Sequence, residues 1–270
     1  MNRVRLPIFP ALLTLSLLAN DSAAQNGTLT LISLNNINTK GVISIGANNQ
    51  VTYDPAGQFD QLQAGQSATD TFGYVVGNGS GQNSSGLVTI TIIGRNLAPV
   101  LAHGSGSVTY VEGSSPATVA GALTVSDPDD QTLASATATI TSGYLTGDRL
   151  TVDTTGTSLS ASWANGVLRL SGSDTVAHYQ QALRSLSYSS SNKNPTDGGN
   201  DLSRTITLTV DDGEPTNHAS TVLATTVTVT AVNDAPSISY SGGALTVAED
   251  TALSLTGSRA ITVDDADAGS

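Results

Sequence analysis

Acidic and amide oxygens recur along this chain at a repeated interval. Asn96-Leu97-Ala98-Pro99 is echoed by Asn233-Asp234-Ala235-Pro236. Glu112 follows the first Asn, and Glu249 the second, at the same interval of sixteen residues. An acidic cluster comes next each time: Ser126-Asp127-Pro128-Asp129-Asp130, then Asp264-Asp265-Ala266-Asp267, the second offset by one residue. Carboxylate and amide oxygens gathered in this way suit a hard cation such as calcium, which takes about six to eight oxygen ligands. The repetition also means an array of similar modules, not one domain with one site. The ordinary alternative is that these acids are solvated turn residues, since Asp favours turns through its own backbone hydrogen bonds. For Asp211 and Asp212 the two readings stand level.

The elements that must position these residues read as β-strands. Val51-Thr52-Tyr53 and Phe72-Gly73-Tyr74-Val75-Val76 are short strands, and Leu87 to Ile92 is a longer one with Val88, Ile90 and Ile92 on one face. Gly77 to Gly86 reads as a Gly/Ser/Asn loop between two of them. Further on, Leu159, Ala161 and Trp163 alternate into an Asn165-Gly166 turn of type I′, and Leu168 and Leu170 resume the alternation. Arg204 to Val210 alternates again through Ile206, Leu208 and Val210, and Asp211-Asp212-Gly213 turns the chain into Val222 to Val232. One segment breaks the pattern. Val176, Tyr179, Leu183 and Leu186 fall at helical spacing behind Ser173 or Asp174 as N-cap, which predicts a short helix crossing between sheets.

These elements predict an all-β chain of tandem Greek-key β-sandwiches with one helix in the second module. The first module spans 1–95, the second 96–232, and 233–270 is the start of a third. Those last residues are too few to build a sandwich core alone, so the C-terminus reads as a truncation. The N-terminus supports two readings. Arg3 and Arg5 before an apolar stretch, with Ser22-Ala23-Ala24 as a cleavage site, fit a signal peptide. Pro7 and Pro10 interrupt that stretch, and Leu17-Leu18-Ala19-Asn20-Asp21 reads as a strand and turn of a module that cleavage would remove.

Composition narrows the partners. The 270 residues carry a net charge of −12 with only 10 basic side chains, which argues against a nucleic-acid partner. Charged residues make up 12%, against an ordinary share of about a quarter, and Thr, Ser, Gly and Val fill the balance. There is no Cys, so disulfides and thiolate metal sites are excluded. No apolar run is long enough to span a membrane as a helix. His103, His178 and His218 lack metal-ligand spacing. Asn26-Gly27-Thr28, Asn78-Gly79-Ser80 and Asn83-Ser84-Ser85 match the glycosylation sequon but read as turns. There is no Gly-x-Ser-x-Gly, His-Glu-x-x-His or phosphate loop, so no catalytic signature is present.

Residues 18–21, 51–55 and 69–74 (Leu18-Ala19-Asn20-Asp21, Val51-Thr52-Tyr53-Asp54-Pro55, Thr69-Asp70-Thr71-Phe72-Gly73-Tyr74) resemble VCBS-type repeats of large bacterial surface proteins. Thr109-Tyr110-Val111-Glu112-Gly113, Val125-Ser126-Asp127-Pro128-Asp129, Val210-Asp211-Asp212-Gly213 and Val232-Asn233-Asp234-Ala235-Pro236 resemble bacterial cadherin-like repeats of RTX-type adhesins. The resemblance implies calcium sites at module junctions. It assigns Glu112, Asn233, Asp234, Asp265 and Asp267 to the second junction, and Asn96, Asp127, Asp129 and Asp211 to the first. Leu97 stands where the linker Asp belongs, Asn78 stands where an Asp is common, and Ser22-Ala23-Ala24 follows Asp21 where acids usually continue. Calcium is therefore expected to bind strongly at the second junction once a third module is complete, and weakly or not at all at the first.

The function this implies is non-enzymatic: a calcium-stiffened, extracellular or cell-surface spacer in adhesion or biofilm formation, with calcium and neighbouring modules as partners. Two alternatives stay open. One is an exopolysaccharide-binding module, which needs exposed aromatics such as Trp163 or Tyr188, although the alternation of Trp163 points to core packing. The other is a set of accessory modules of a secreted hydrolase.

Overall fold

The computed structural model describes residues 2–7, 13–18, 28–103, 107–240, 242–257 and 260–267. The expected cleavage site and most of the Leu18 to Asp21 motif lie outside them. The chain divides into two compact units. Unit one is Met1–Pro99 with Ser126–Gln131 and Asp212–Ala219, and unit two is Val100–Val125, Thr132–Asp211 and Ser220–Ser270.

Unit one contains β1 (Asn2–Pro7), β2 (Leu13–Ser16), β3 (Thr30–Asn35), β4 (Val42–Ile45), β5 (Gln50–Asp54), β6 (Ser67–Gly77) and β7 (Asn83–Ile93). They form a four-stranded sheet in the order β1-β7-β6-β3 and a three-stranded sheet in the order β2-β5-β4. β1 runs parallel to β7, and the other pairs are antiparallel. Period-two alternation decides which side chains meet. Val88, Ile90 and Ile92 of β7 and Phe72 of β6 pack on Leu15, Val51 and Tyr53 of the other sheet, while Thr89 and Thr91 face outward. The expected Gly77 to Gly86 loop is shorter than read. Asn83, Ser84 and Ser85 pair with Gly77, Val76 and Val75, so the turn is confined to 78–82. Backbone pairing does not need apolar side chains, and a composition signal overestimates such a loop.

Asp70 of β6 is buried in this core and fully partnered. It accepts hydrogen bonds from the backbone N–H groups of Lys40, Gly41 and Thr71, each at 2.9 Å by its shorter contact, and from the Tyr53 hydroxyl at 2.8 Å. Burial alone would raise its pKa, but these donors outweigh it and hold the carboxyl below the usual range. Burial and the same hydrogen bond push the Tyr53 hydroxyl up. Gly41 permits the approach, because a Cβ there would stand 2.6 Å from the Asp54 carbonyl and the Tyr53 ring.

Unit two holds β8 (Val100–Ala102), β9 (Val108–Val111), β10 (Ala117–Thr118), β11 (Thr124–Ser126), β12 (Thr132–Ser142), β13 (Asp148–Thr151), β14 (Ser160–Ala164), β15 (Val167–Thr175), α1 (Val176–Arg184), β16 (Ser187–Ser190), β17 (Ser203–Asp211), β18 (Leu223–Thr230), β19 (Ser237–Tyr240) and β20 (Ile261–Asp264). Its main sheet runs β14-β15-β12-β17-β18-β9, with β9 parallel to β18, and a three-stranded sheet runs β10-β16-β13. Both units are therefore all-β sandwiches, as the alternation predicted. Asn165 and Gly166 adopt φ of 47° and 81° between β14 and β15, the positive values a type I′ turn requires. The helix forms where its periodicity placed it, joining β15 of one sheet to β16 of the other. Tyr179, Ala182 and Leu183 face the core. Its N-cap is Thr175, whose side chain accepts from His178 N–H, in place of the expected Ser173 or Asp174. Asp174 instead accepts from Ser158 N and Thr175 N and contacts the His178 ring.

Arg204 occupies an inward position of β17 and is fully buried. Its Nε donates to Asp148 Oδ2 at 2.6 Å, and its Nη2 to the Pro195 carbonyl at 2.6 Å. Asp148 also accepts from the Tyr188 hydroxyl at 2.6 Å and from Leu145 N at 2.9 Å. Tyr188 packs edge-on against Tyr110, with ring centroids 5.2 Å apart. The pair joins the two sheets of unit two. Arg204→Met would leave the Asp148 carboxylate buried without its cation, at an expected cost of about 3–5 kcal/mol. Urea unfolding followed by Trp163 fluorescence measures this, since the only Trp lies in this unit. An Arg204→Met/Asp148→Leu double variant is expected to recover part of the loss, and a single variant as stable as the parent would contradict the assignment.

Candidate metal centres

Two acidic loops and one linker segment converge in unit one. Asp127 opens a turn after β11, and its Oδ1 accepts from Asp129 N at 3.2 Å and Asp130 N at 3.0 Å. Asp212 opens the turn that ends β17, and its Oδ1 accepts from Glu214 N at 2.7 Å. Asn96, just beyond β7, reaches that loop: its Nδ2 donates to Asp212 Oδ2 and to the Thr216 carbonyl, both at 2.9 Å. Asn217 Nδ2 returns a bond to the Asn96 carbonyl at 3.1 Å. Leu97 N donates to Asp129 Oδ1 at 3.1 Å. The result is a group in which one carboxylate oxygen from each of Asp127, Asp130 and Asp212 lies within 4.8 Å of the others.

Like charges at this spacing repel, more so as water is excluded. Burial pushes the Asp129 carboxyl up to about 6, reinforced by the charges of Asp127 and Asp130, despite the Leu97 N–H that favours its ionised form. Burial likewise raises Asp127. The hydrogen-bond ledger is also incomplete. Asn96 is only 3% exposed and Asp129 7%, yet Asn96 Oδ1, Asp127 Oδ2 and Asp129 Oδ2 are buried acceptors with no donor. Buried polar atoms are normally satisfied, so three such oxygens beside three clustered carboxylates call for positive charge. The donor set is all oxygen, which fits calcium or magnesium and does not favour zinc or copper.

In unit two, Glu112 Oε2 accepts from Val232 N at 3.0 Å, just past the end of β18. Asp267 Oδ2 accepts from Asp234 N at 3.0 Å, and Asp265 Oδ1 from Asp267 N at 3.4 Å. Interactions with Asp265 and the Asp234 N–H hold the Asp267 carboxyl low. Asn233 Nδ2 donates to the Asp234 carbonyl at 2.7 Å. Here a cation is already present, because Lys193 Nζ lies 3.1 Å from Asp234 Oδ1. Glu112 Oε1 and Asp234 Oδ2 are buried without a donor.

The expected ligands thus fall in three places. Asp127 and Asp129 join the unit-one group. Glu112, Asn233, Asp234, Asp265 and Asp267 lie along the β18 exit and the following segments of unit two. Asp211, the last residue of β17, adds its charge to the burial and the Asp174 charge that push the Tyr179 hydroxyl up to about 12. Asp130 and Asp212 are in the tight group as well; Asp130 stood in the acidic cluster without being assigned as a ligand, and Asp212 stood level between turn and ligand. Strand parity is the signal for Asp212: it continues the inward parity of Arg204, Ile206, Leu208 and Val210, whereas Asp211 falls on the opposite parity. A polysaccharide-binding module would need exposed aromatics such as Trp163 or Tyr188. Tyr188 is fully buried, and Trp163 packs partly buried against the core. No described helix is long and apolar enough to cross a membrane.

Residues 10–91 match the family described as Bacterial Ig domain. No curated protein matches the chain. Among solved structures, the chain is similar to protocadherin gammaB7 EC3-6 at 17% identity and a TM-score of 0.39, covering 99% of this chain and 55% of that one. It is similar to Drosophila N-cadherin EC1-4 at 13% identity and a TM-score of 0.35, covering 88% and 51%. It is similar to human protocadherin-24 EC1-2 at 14% identity and a TM-score of 0.34, covering 85% and 95%. The chain spans about half the length of the first two structures.

The raised Asp129 carboxyl has a pH consequence. The folded state holds this proton more tightly than the unfolded chain, whose Asp titrates near about 3.9. Its contribution to stability is therefore complete below about pH 4 and lost as pH rises through about 6. Asp70 and Asp174 titrate below the usual range and act at lower pH. Melting in chelator is expected to fall between pH 4.5 and 7, with a flatter profile in Asp129→Asn. An identical slope in that variant would contradict the assignment.

Proposed function

We propose that this chain is a non-enzymatic, calcium-binding repeat region of a secreted or surface-displayed bacterial adhesin-like protein. Under this reading 1–95 is a VCBS-like module, 96–232 a cadherin-like module and 233–270 the start of another, within the RTX-type adhesin class. The region acts as a calcium-stiffened extender in surface adhesion or biofilm formation.

One observation carries the reading: the oxygen-only group of Asp127, Asp130 and Asp212, ringed by the donorless oxygens of Asn96, Asp127 and Asp129. Calcium at this point would neutralise the carboxylates and fill the missing coordination of those oxygens. It would also tie the residues after β7 to the 126–131 and 212–219 loops. The unit-two acids form the second proposed site, with Glu112, Asn233, Asp234, Asp265 and Asp267 as ligands. The acid supplied by Asp130 and Asp212 favours binding at the first group despite Leu97.

Calcium that binds the folded state alone stabilises it by about 2.7 kcal/mol at a hundredfold excess over its dissociation constant. We expect chelator-treated protein to show a saturable rise in melting temperature with calcium, and a smaller one with magnesium. Asp127→Asn and Asp212→Asn each remove the part of that rise that comes from the first group. A flat calcium titration of the parent chain would overturn the reading.

A further inference from the structure

The acidic group of unit one has a partner outside the motifs that led to it. Gln63 lies between β5 and β6, and its Nε2 donates to Asp130 Oδ1 at 2.9 Å. An ionised carboxylate only accepts, so the amide must turn its nitrogen toward Asp130. Its other end is held as well. Gln66 Nε2 donates to Gln63 Oε1 at 3.0 Å, and Gln63 N donates to Gln66 Oε1 at 3.2 Å. The backbone of this segment is fastened to the residue that follows β7: Gly65 N donates to the Gly94 carbonyl at 3.0 Å, and Gly94 N to the Gln66 carbonyl at 2.8 Å. The approach is so close that a Cβ on Gly94 would lie 2.2 Å from the Gln63 carbonyl. Gln63 is therefore a positioned donor, although its side chain is exposed.

Other donors reach the group, Asn96 Nδ2 on Asp212 among them, but they do not satisfy all of its oxygens. Asn96 and Asp129 are more than nine-tenths buried, and each keeps an oxygen without a partner. Gln63 relieves one carboxylate of this crowded set without adding charge to it.

We propose that Gln63 sets the affinity of this site for a divalent cation. Its amide stabilises the metal-free group by occupying Asp130 Oδ1, and a cation that takes that same oxygen competes with it. Because Gln66 holds the amide with its nitrogen inward, Gln63 opposes binding and does not serve as a ligand. The proposal rests on the calcium reading above and adds the residue that tunes it. A carboxylate at the same reach would reverse the effect, replacing a competing donor with a further ligand.

The test is calorimetric titration of calcium chloride into the chelator-treated full chain, in an Asp234→Asn/Asp267→Asn background that silences the unit-two acids. Gln63→Glu is expected to tighten binding by more than about ten-fold, through the added charge. Gln63→Met, which removes the competing hydrogen bond, is expected to tighten it about three-fold and to lower the metal-free melting temperature. Gln66→Met, which unlatches the amide, changes affinity in the same direction and covers the case of a Gln63 variant that fails to fold. If the background protein binds calcium and these variants bind equally or more weakly, the role of Gln63 is overturned while the calcium reading stands. If all of them titrate flat, both fall together.

Discussion

A buried aspartate that accepts a tyrosine hydroxyl fastens each unit of this protein. In unit one, Tyr53 on β5 donates to Asp70 on β6, a bond from one sheet to the other. In unit two, Tyr188 donates to Asp148, and Arg204 completes the link from β13 to β17 across the sandwich. Apolar alternation brings two sheets together but leaves their offset loosely specified, because oil-like contacts have no direction. A buried carboxylate is directional and intolerant: removing one partner leaves a charge stranded in a low-dielectric interior. The strands, the Gly41 approach and the Tyr110–Tyr188 ring contact are arranged around these groups.

The same physics marks the candidate metal centre as different in kind. Asp70 receives four donor groups, which outweigh its burial and hold its carboxyl low, and Asp148 receives three side-chain and backbone donors. Asp127 and Asp129 receive backbone N–H groups on one oxygen only, and the second oxygen of each is buried and bare. The contrast lies within one polypeptide and one residue type. Burial lowers nothing by itself; the supply of donors decides whether a buried acid is comfortably ionised or pushed up. The proposed cation site rests on that deficit.

Much of the fold was legible because it is local. The parity of Ile206, Leu208 and Val210 placed β17, and the same parity put Arg204 inside. Asn165-Gly166 fixed the β14–β15 register through its positive φ values. The spacing of Val176, Tyr179 and Leu183 found the helix, though Thr175 rather than Asp174 caps it, because Asp174 is engaged with Ser158 across the fold. Polar residues misled in one place: Asn83, Ser84 and Ser85 read as loop yet pair fully with β6.

By itself the sequence determined the all-β class, the repeated oxygen-bearing motifs and the lack of thiols, since each depends on residue type and short-range period. Tertiary structure alone decided which acids meet. Asp130 and Asp212 come together although 82 positions of chain separate them. Gln63 reaches Asp130 across 67 positions. Convergence of this kind is set by how loops end after their strands are packed. A motif reports which ligands exist; only the packed fold reports which oxygens remain without a donor.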